Sequence, residues 1–138
     1  MKITTIYAAR ILGYITMKGN ALTTAGEIVE NVDISYQYCL KVMNEMKRAG
    51  ILVSEQGCKG GYRMKKRPED VSVYEILDLF EYNHSNENDR EELKRDPFSR
   101  FMKQIYEEAA KNLKRFTIAD VYGKENEKMM QEEMAVAE

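Results

Sequence analysis

The chain has 138 residues, 43% hydrophobic and 32% charged, with a formal net charge of −2. That composition excludes wholesale disorder and a collagen-like repeat, and two cysteines, Cys39 and Cys58, cannot build a disulfide framework or a four-thiolate metal site. No apolar run approaches the ~20 residues of a membrane span and the start, MKITTIYAAR, lacks the apolar core of a signal peptide, so the expectation is a cytoplasmic protein with no membrane partner.

The first helix is marked by Ala8, Ile11, Leu12 and Ile15 at i, i+3, i+4, i+7, running from about Thr5 to Lys18 and closed by Gly19. Thr24 and Glu27 then form a capping box for a short second helix with Ala25, Ile28, Val29 and Val32 inward. After a tight connection through Asp33, Ser35 can cap a third helix whose inward face is Cys39, Val42, Met43 and Met46, with Gly50 at its end. Two helices joined by so short a turn are a helix-turn-helix. Residues 51–56 read as a strand, Gly57, Gly60 and Gly61 allow a turn, and 62–66 read as the return strand. The predicted fold class is therefore mainly α with a small β-hairpin wing.

A second capping box, Ser72 with Glu75, opens a fourth helix burying Val73, Ile76, Leu77 and Phe80. Residues 82–95 contain a single aliphatic side chain, Leu93, and read as a polar linker. Asp96 caps, and Pro97 starts, the longest helix. Phe98, Phe101, Met102, Ile105, Tyr106, Ala109, Ala110, Leu113 and Phe116 form a stripe roughly 28 Å long at 1.5 Å per residue. Thr117 and Asp120 start a last helical turn, and beyond Gly123 a charged tail is expected to fray. The divisions are a winged head over 1–81, a linker over 82–96, a dimerisation helix over 97–123 and a tail over 124–138.

The small net charge conceals an asymmetry: residues 1–67 hold 11 Lys and Arg against 5 Asp and Glu, and residues 68–138 hold 10 against 18. The basic part is the head, which suits double-stranded DNA. Lys59, Arg63, Lys65, Lys66 and Arg67 cluster in the wing, where they can neutralise phosphates. Ser35, Tyr36, Gln37 and Lys41 lie on the outward N-terminal half of the third helix, the part that contacts base edges in helix-turn-helix docking. Gln56 and Lys59 are expected at the groove edge, and Gly60 and Arg63 are also expected to bind DNA. Tyr38 serves either packing or contact, and Leu40 either touches a thymine methyl or is simply exposed. The stripe centred on Phe101, Ile105 and Leu113, and including Phe98, Met102, Ala109 and Phe116, is too apolar to face water and implies a homodimer. Such a dimer fits a pseudo-palindromic site. Cys39 faces inward, whereas Cys58, exposed beside Lys59, is the candidate redox thiol.

Enzyme readings fail on inventory. The single histidine, His84, sits in the polar linker, and G-C-K-G-G lacks the spacing of a phosphate-binding loop. No cofactor or metal is expected. The competing class is a winged helix used for protein–protein interaction without specific DNA readout, and the basic head favours DNA over it.

Three stretches together resemble the Rrf-two family of winged helix-turn-helix transcription regulators (the IscR/NsrR/CymR type). ISYQYCLKVMNEMKRAGILVSEQGCKGGYRM at 34–64 is similar to the family's recognition helix and glycine-rich wing. PEDVSVYEILDLFE at 68–81 resembles its following element, and LKRFTIADV at 113–121 resembles the end of its dimer helix. The resemblance spans roughly residues 2–120 and implies a DNA-binding regulator, expected to be a repressor. Two departures qualify it. Gln56 stands where the family commonly has Arg, and the segment at 82–95 lacks the three cysteines of cluster-binding members. No iron–sulfur cluster is expected, and switching is assigned to a regulatory protein or small ligand acting near 82–95, or to oxidation of Cys58.

Overall fold

A computed structural model describes residues 1–19, 21–82 and 95–123. Its elements are helices α1 (Ile3–Met17), α2 (Ala25–Val32) and α3 (Tyr36–Arg48), strands β1 (Leu52–Glu55) and β2 (Gly61–Met64), and helices α4 (Val73–Leu77) and α5 (Pro97–Leu113). A 3-10 turn at Pro68–Asp70 precedes α4 and a π turn at Asp78–Tyr82 follows it.

The periodicities become a single core. Ala8, Ile11, Leu12 and Ile15 of α1 are fully buried, against Ile28 of α2 and Cys39, Met43 and Met46 of α3. Each fully buried Ile, Leu or Met contributes roughly 1.5–3 kcal/mol. Burial pushes the Cys39 thiol up to about 11, which keeps it a neutral core residue. Between α2 and α3 the chain turns at Asp33, whose φ of 57° is left-handed. The Ser35 hydroxyl then accepts from the Tyr38 amide at 3.3 Å and starts α3.

Three local expectations are modified by distant partners. The α1 helix begins two residues early because Glu81 reaches across from the π turn. Its carboxylate accepts from the Lys2 amide at 3.1 Å and from the Thr5 hydroxyl at 2.6 Å. These bonds, the Thr5 one foremost, hold the Glu81 carboxyl below its usual range. The capping box of α2 is only half made. The Thr24 hydroxyl accepts from the Glu27 amide, but the Glu27 carboxylate turns to Lys18 Nζ and the Tyr14 hydroxyl, each at 2.8 Å. At α4 the box is complete, between Ser72 and Glu75. The fourth helix also leaves Val73 and Leu77 half-buried, with Ile76 and Phe80 carrying the burial.

The wing is an antiparallel pair with Leu52 opposite Met64 and Glu55 opposite Gly61. Thr23 bridges to Tyr62 through reciprocal backbone bonds of 2.9 and 2.8 Å, so the segment before α2 extends the hairpin. Only glycine fits beside it: Gly61 has φ +155°, and a Cβ there would lie 2.8 Å from the Thr23 carbonyl oxygen.

The long helix ends at Leu113, short of the expected stripe, and the chain then returns to the head. The Val73 amide donates to Phe116 O at 2.8 Å and the Ile118 amide to Val71 O at 2.9 Å. Thr117 and Asp120 cap a helical turn at 118–123 as their spacing predicts. Ile118 is buried in the head core, and Tyr122 packs so closely on Gly13 that a Cβ there would meet its ring at 2.6 Å. The segment after α5 thus packs as part of the head, rather than as a continuation of the helix. The tail at 124–138 and most of the linker, His84 included, lie outside the described residues.

Candidate nucleic-acid interface

The exposed face of α3 starts at its cap. Ser35, Tyr36, Gln37 and Lys41 are all exposed, and they share the first two turns because the opposite positions, Cys39, Val42 and Met43, are driven inward. Lys41 has no acidic partner among the described residues. The two alternatives left open by the sequence are decided by packing. Tyr38 stands edge-on to Tyr7 with ring centroids 5.8 Å apart, and its hydroxyl is bonded to that of Thr4. Leu40 is half-buried against the core rather than exposed. Thr4 and Tyr7 therefore brace α3 from α1, a role with no signal in their own neighbourhood of sequence.

The wing adds a second exposed surface. Its tip turns at Gly57, with the Gly60 amide donating to Gly57 O at 2.9 Å. Gln56, Cys58 and Lys59 around it are exposed, while Gly60 and Arg63 are half-buried. The five cations are not equivalent. Lys66 is paired with Glu75 at 2.7 Å and Arg67 with Asp70 at 3.0 Å, which ties the wing's base to the elements after it. Arg63 is paired with Glu55 inside the hairpin at 3.2 Å. Lys59 and Lys65 carry no acidic partner among the described residues and are the wing's unpaired charges. Tyr62, whose phenol is raised chiefly by burial, belongs to the inner face. The run of cations in the sequence does not by itself reveal these pairings, although Glu55 signals one of them.

On α5, no residue is buried. Phe98, Phe101 and Ile105 are 71%, 60% and 42% exposed, Ala109 and Phe116 are also exposed, and Met102 and Leu113 are half-buried. The helix touches α4, where Lys114 just past its end lies 4.7 Å above the Tyr74 ring.

Residues 1–124 match the family model described as Rrf2, an iron-dependent transcriptional regulator. The chain belongs to the Rrf2 family. It is 29% identical over 80 residues to the HTH-type transcriptional regulator NsrR of Shouchella clausii, covering 57% of this chain and 54% of that one. It is 32% identical over 63 residues to the HTH-type transcriptional regulator IscR of Cereibacter sphaeroides, covering 46% and 41%. The chain spans about half the length of the first curated relatives it matches. Among solved structures, CymR of B. subtilis superposes with a TM-score of 0.66 at 22% identity, over 90% of this chain and 96% of that one. IscR of T. potens gives 0.67 at 18% identity, over 90% and 86%. These likenesses fix the winged helix-turn-helix fold of an Rrf2 regulator, and the matched family is one of transcription regulators rather than enzymes.

The family description names iron, and the described residues do not fit it. Among them, no group of three or more His, Cys, Asp or Glu could hold a metal ion. Cys39 is locked in the core, and Cys58 is at the wing tip. No helix among the described residues is long and apolar enough to cross a membrane.

Proposed function

We propose that this Rrf2 member is a sequence-specific regulator, a repressor, that binds double-stranded DNA as a homodimer on a pseudo-palindromic operator. The observation that carries the reading is the exposed half of α3, with Ser35, Tyr36, Gln37 and Lys41 free of the core, beside a wing whose Lys59 and Lys65 have no acidic partner among the described residues. In this reading α3 enters the major groove and Gln37 and Lys41 meet base edges. The glycine tip at Gln56–Gly60 approaches the minor groove, and the lysines neutralise phosphates. The stripe of α5 joins two copies. The regulator works without an iron–sulfur cluster. It is switched by a partner or small ligand acting at 82–95, and the exposed Cys58 is the alternative sensor, where oxidation would add polarity to the wing tip.

Titrating the chain onto duplex DNA across a salt series tests this reading. Affinity should fall steeply with salt, and Lys59→Ala should weaken binding to every sequence while reducing the log–log slope by about 0.9, the share of one phosphate. Absence of duplex binding at low salt would defeat the proposal.

A further inference from the structure

Glu55 is the one acidic side chain of the hairpin, and it sits where a polyanion is expected. In the antiparallel register Val53 faces Arg63 and Glu55 faces Gly61, so the alternation of strand side chains puts all four on one face. Gly61 offers no side chain, and its approach to Thr23 admits none. Glu55 therefore has nothing directly across from it, and its diagonal neighbour Arg63 fills the place. Arg63 Nε donates to Glu55 Oε1 at 3.2 Å, with the two side chains 42% and 50% exposed. An exposed pair of this kind is weak and readily exchanged. While it holds, Arg63 neutralises a carboxylate instead of a phosphate.

We propose that Glu55 is a specificity-determining positioning residue: it withholds the Arg63 guanidinium from phosphates met at random and yields it only where the wing is fully seated on a duplex. The proposal rests on the DNA-binding reading. Its consequence is that complexes with arbitrary sequence release one fewer counterion than the wing's charge would allow, which suppresses them relative to the seated complex.

The test uses the full chain, its Glu55→Gln variant, and the same substitution in an Arg63→Gln background. The probes are a duplex enriched by the native chain from a random-sequence pool and a scrambled duplex of the same composition. On the scrambled duplex, Glu55→Gln should steepen the log–log salt slope by about 0.9 and tighten binding about fivefold near ~0.15 M salt, the effect of one added phosphate contact. The enriched duplex should gain less, so discrimination falls. In the Arg63→Gln background the gain should vanish. An unchanged slope for Glu55→Gln overturns the proposal, and so does a gain that persists without Arg63, which would mean simple relief of charge repulsion. Failure of the native chain to hold either duplex at low salt overturns the DNA-binding reading itself, and this outcome is distinct because it appears before any variant is compared.

Discussion

At the residue scale, α3 divides its side chains by a simple competition. Cys39, Val42, Met43 and Met46 are worth more buried than exposed, and the polar side chains of Gln37, Lys41 and Asn44 are left outside. Gln37 is thus exposed and has no side-chain hydrogen bond among the described residues, so in the proposed complex its amide is available to a base. Gln37→Ala should relax base preference at one position per half-site by roughly 1–3 kcal/mol, leaving affinity for scrambled DNA nearly unchanged. Measuring the native chain and the variant against a panel of single-base operator changes checks it. Uniform weakening across the panel would make Gln37 a positioning contact. The same competition explains why Tyr38 was ambiguous in the sequence. It borders the buried stripe, and only the positions of Thr4 and Tyr7, more than thirty residues earlier, decide that it packs.

At the element scale, α1, α2 and α3 were legible because their determinants are local: apolar residues at helical spacing, Ser and Thr caps, and a turn at Asp33. What escaped were the joints. The early start of α1 depends on Glu81, 79 residues from Lys2, and Glu27 prefers Tyr14 and Lys18 to its own helix. The halt of α5 at Leu113 and the return of 116–118 to the α4 start are backbone pairings that no side-chain pattern encodes. The wing shows how a joint constrains sequence. Its two strands alone are too short for independent stability, and the bridge from Thr23 to Tyr62 supplies the third side. Gly61→Ala would place a methyl 2.8 Å from the Thr23 carbonyl at an unfavourable φ, costing roughly 1–3 kcal/mol. Denaturant unfolding should show that loss. Hydrogen exchange should show the amides of Thr23 and Tyr62 opening first, while those of α1 keep their protection relative to the new global stability.

At the scale of the whole molecule, the head buries a core of its own while leaving Ile3, Ile6 and Met17 exposed, and α5 buries none of its residues. Within one chain, α4 and Lys114 shield part of the helix and leave Phe98, Phe101 and Ile105 turned outward. So continuous an apolar face in water favours association, and a second α5 packed about a two-fold axis would cover both stripes with like residues. The same axis would set two α3 helices side by side for a two-fold site, so pairing and readout are linked through one element. The fold did not need this helix to close its core, and its apolar periodicity was already visible in the sequence. Ile105→Glu separates the two roles. The side chain is exposed in the single chain, so the substitution should leave the head's unfolding transition in place. In a dimer each copy would bring a carboxylate to the centre of an apolar contact, removing two buried isoleucines. With Ile105 42% exposed in the single chain, the lost burial alone should cost roughly 1–3 kcal/mol per dimer, about tenfold to a hundredfold weaker association, and desolvation of the two carboxylates adds to it. Sedimentation should find the native chain at twice 16.1 kDa and the variant at that mass alone. The variant's operator affinity should then drop to that of a single half-site, while a variant that remains dimeric would remove α5 as the interface.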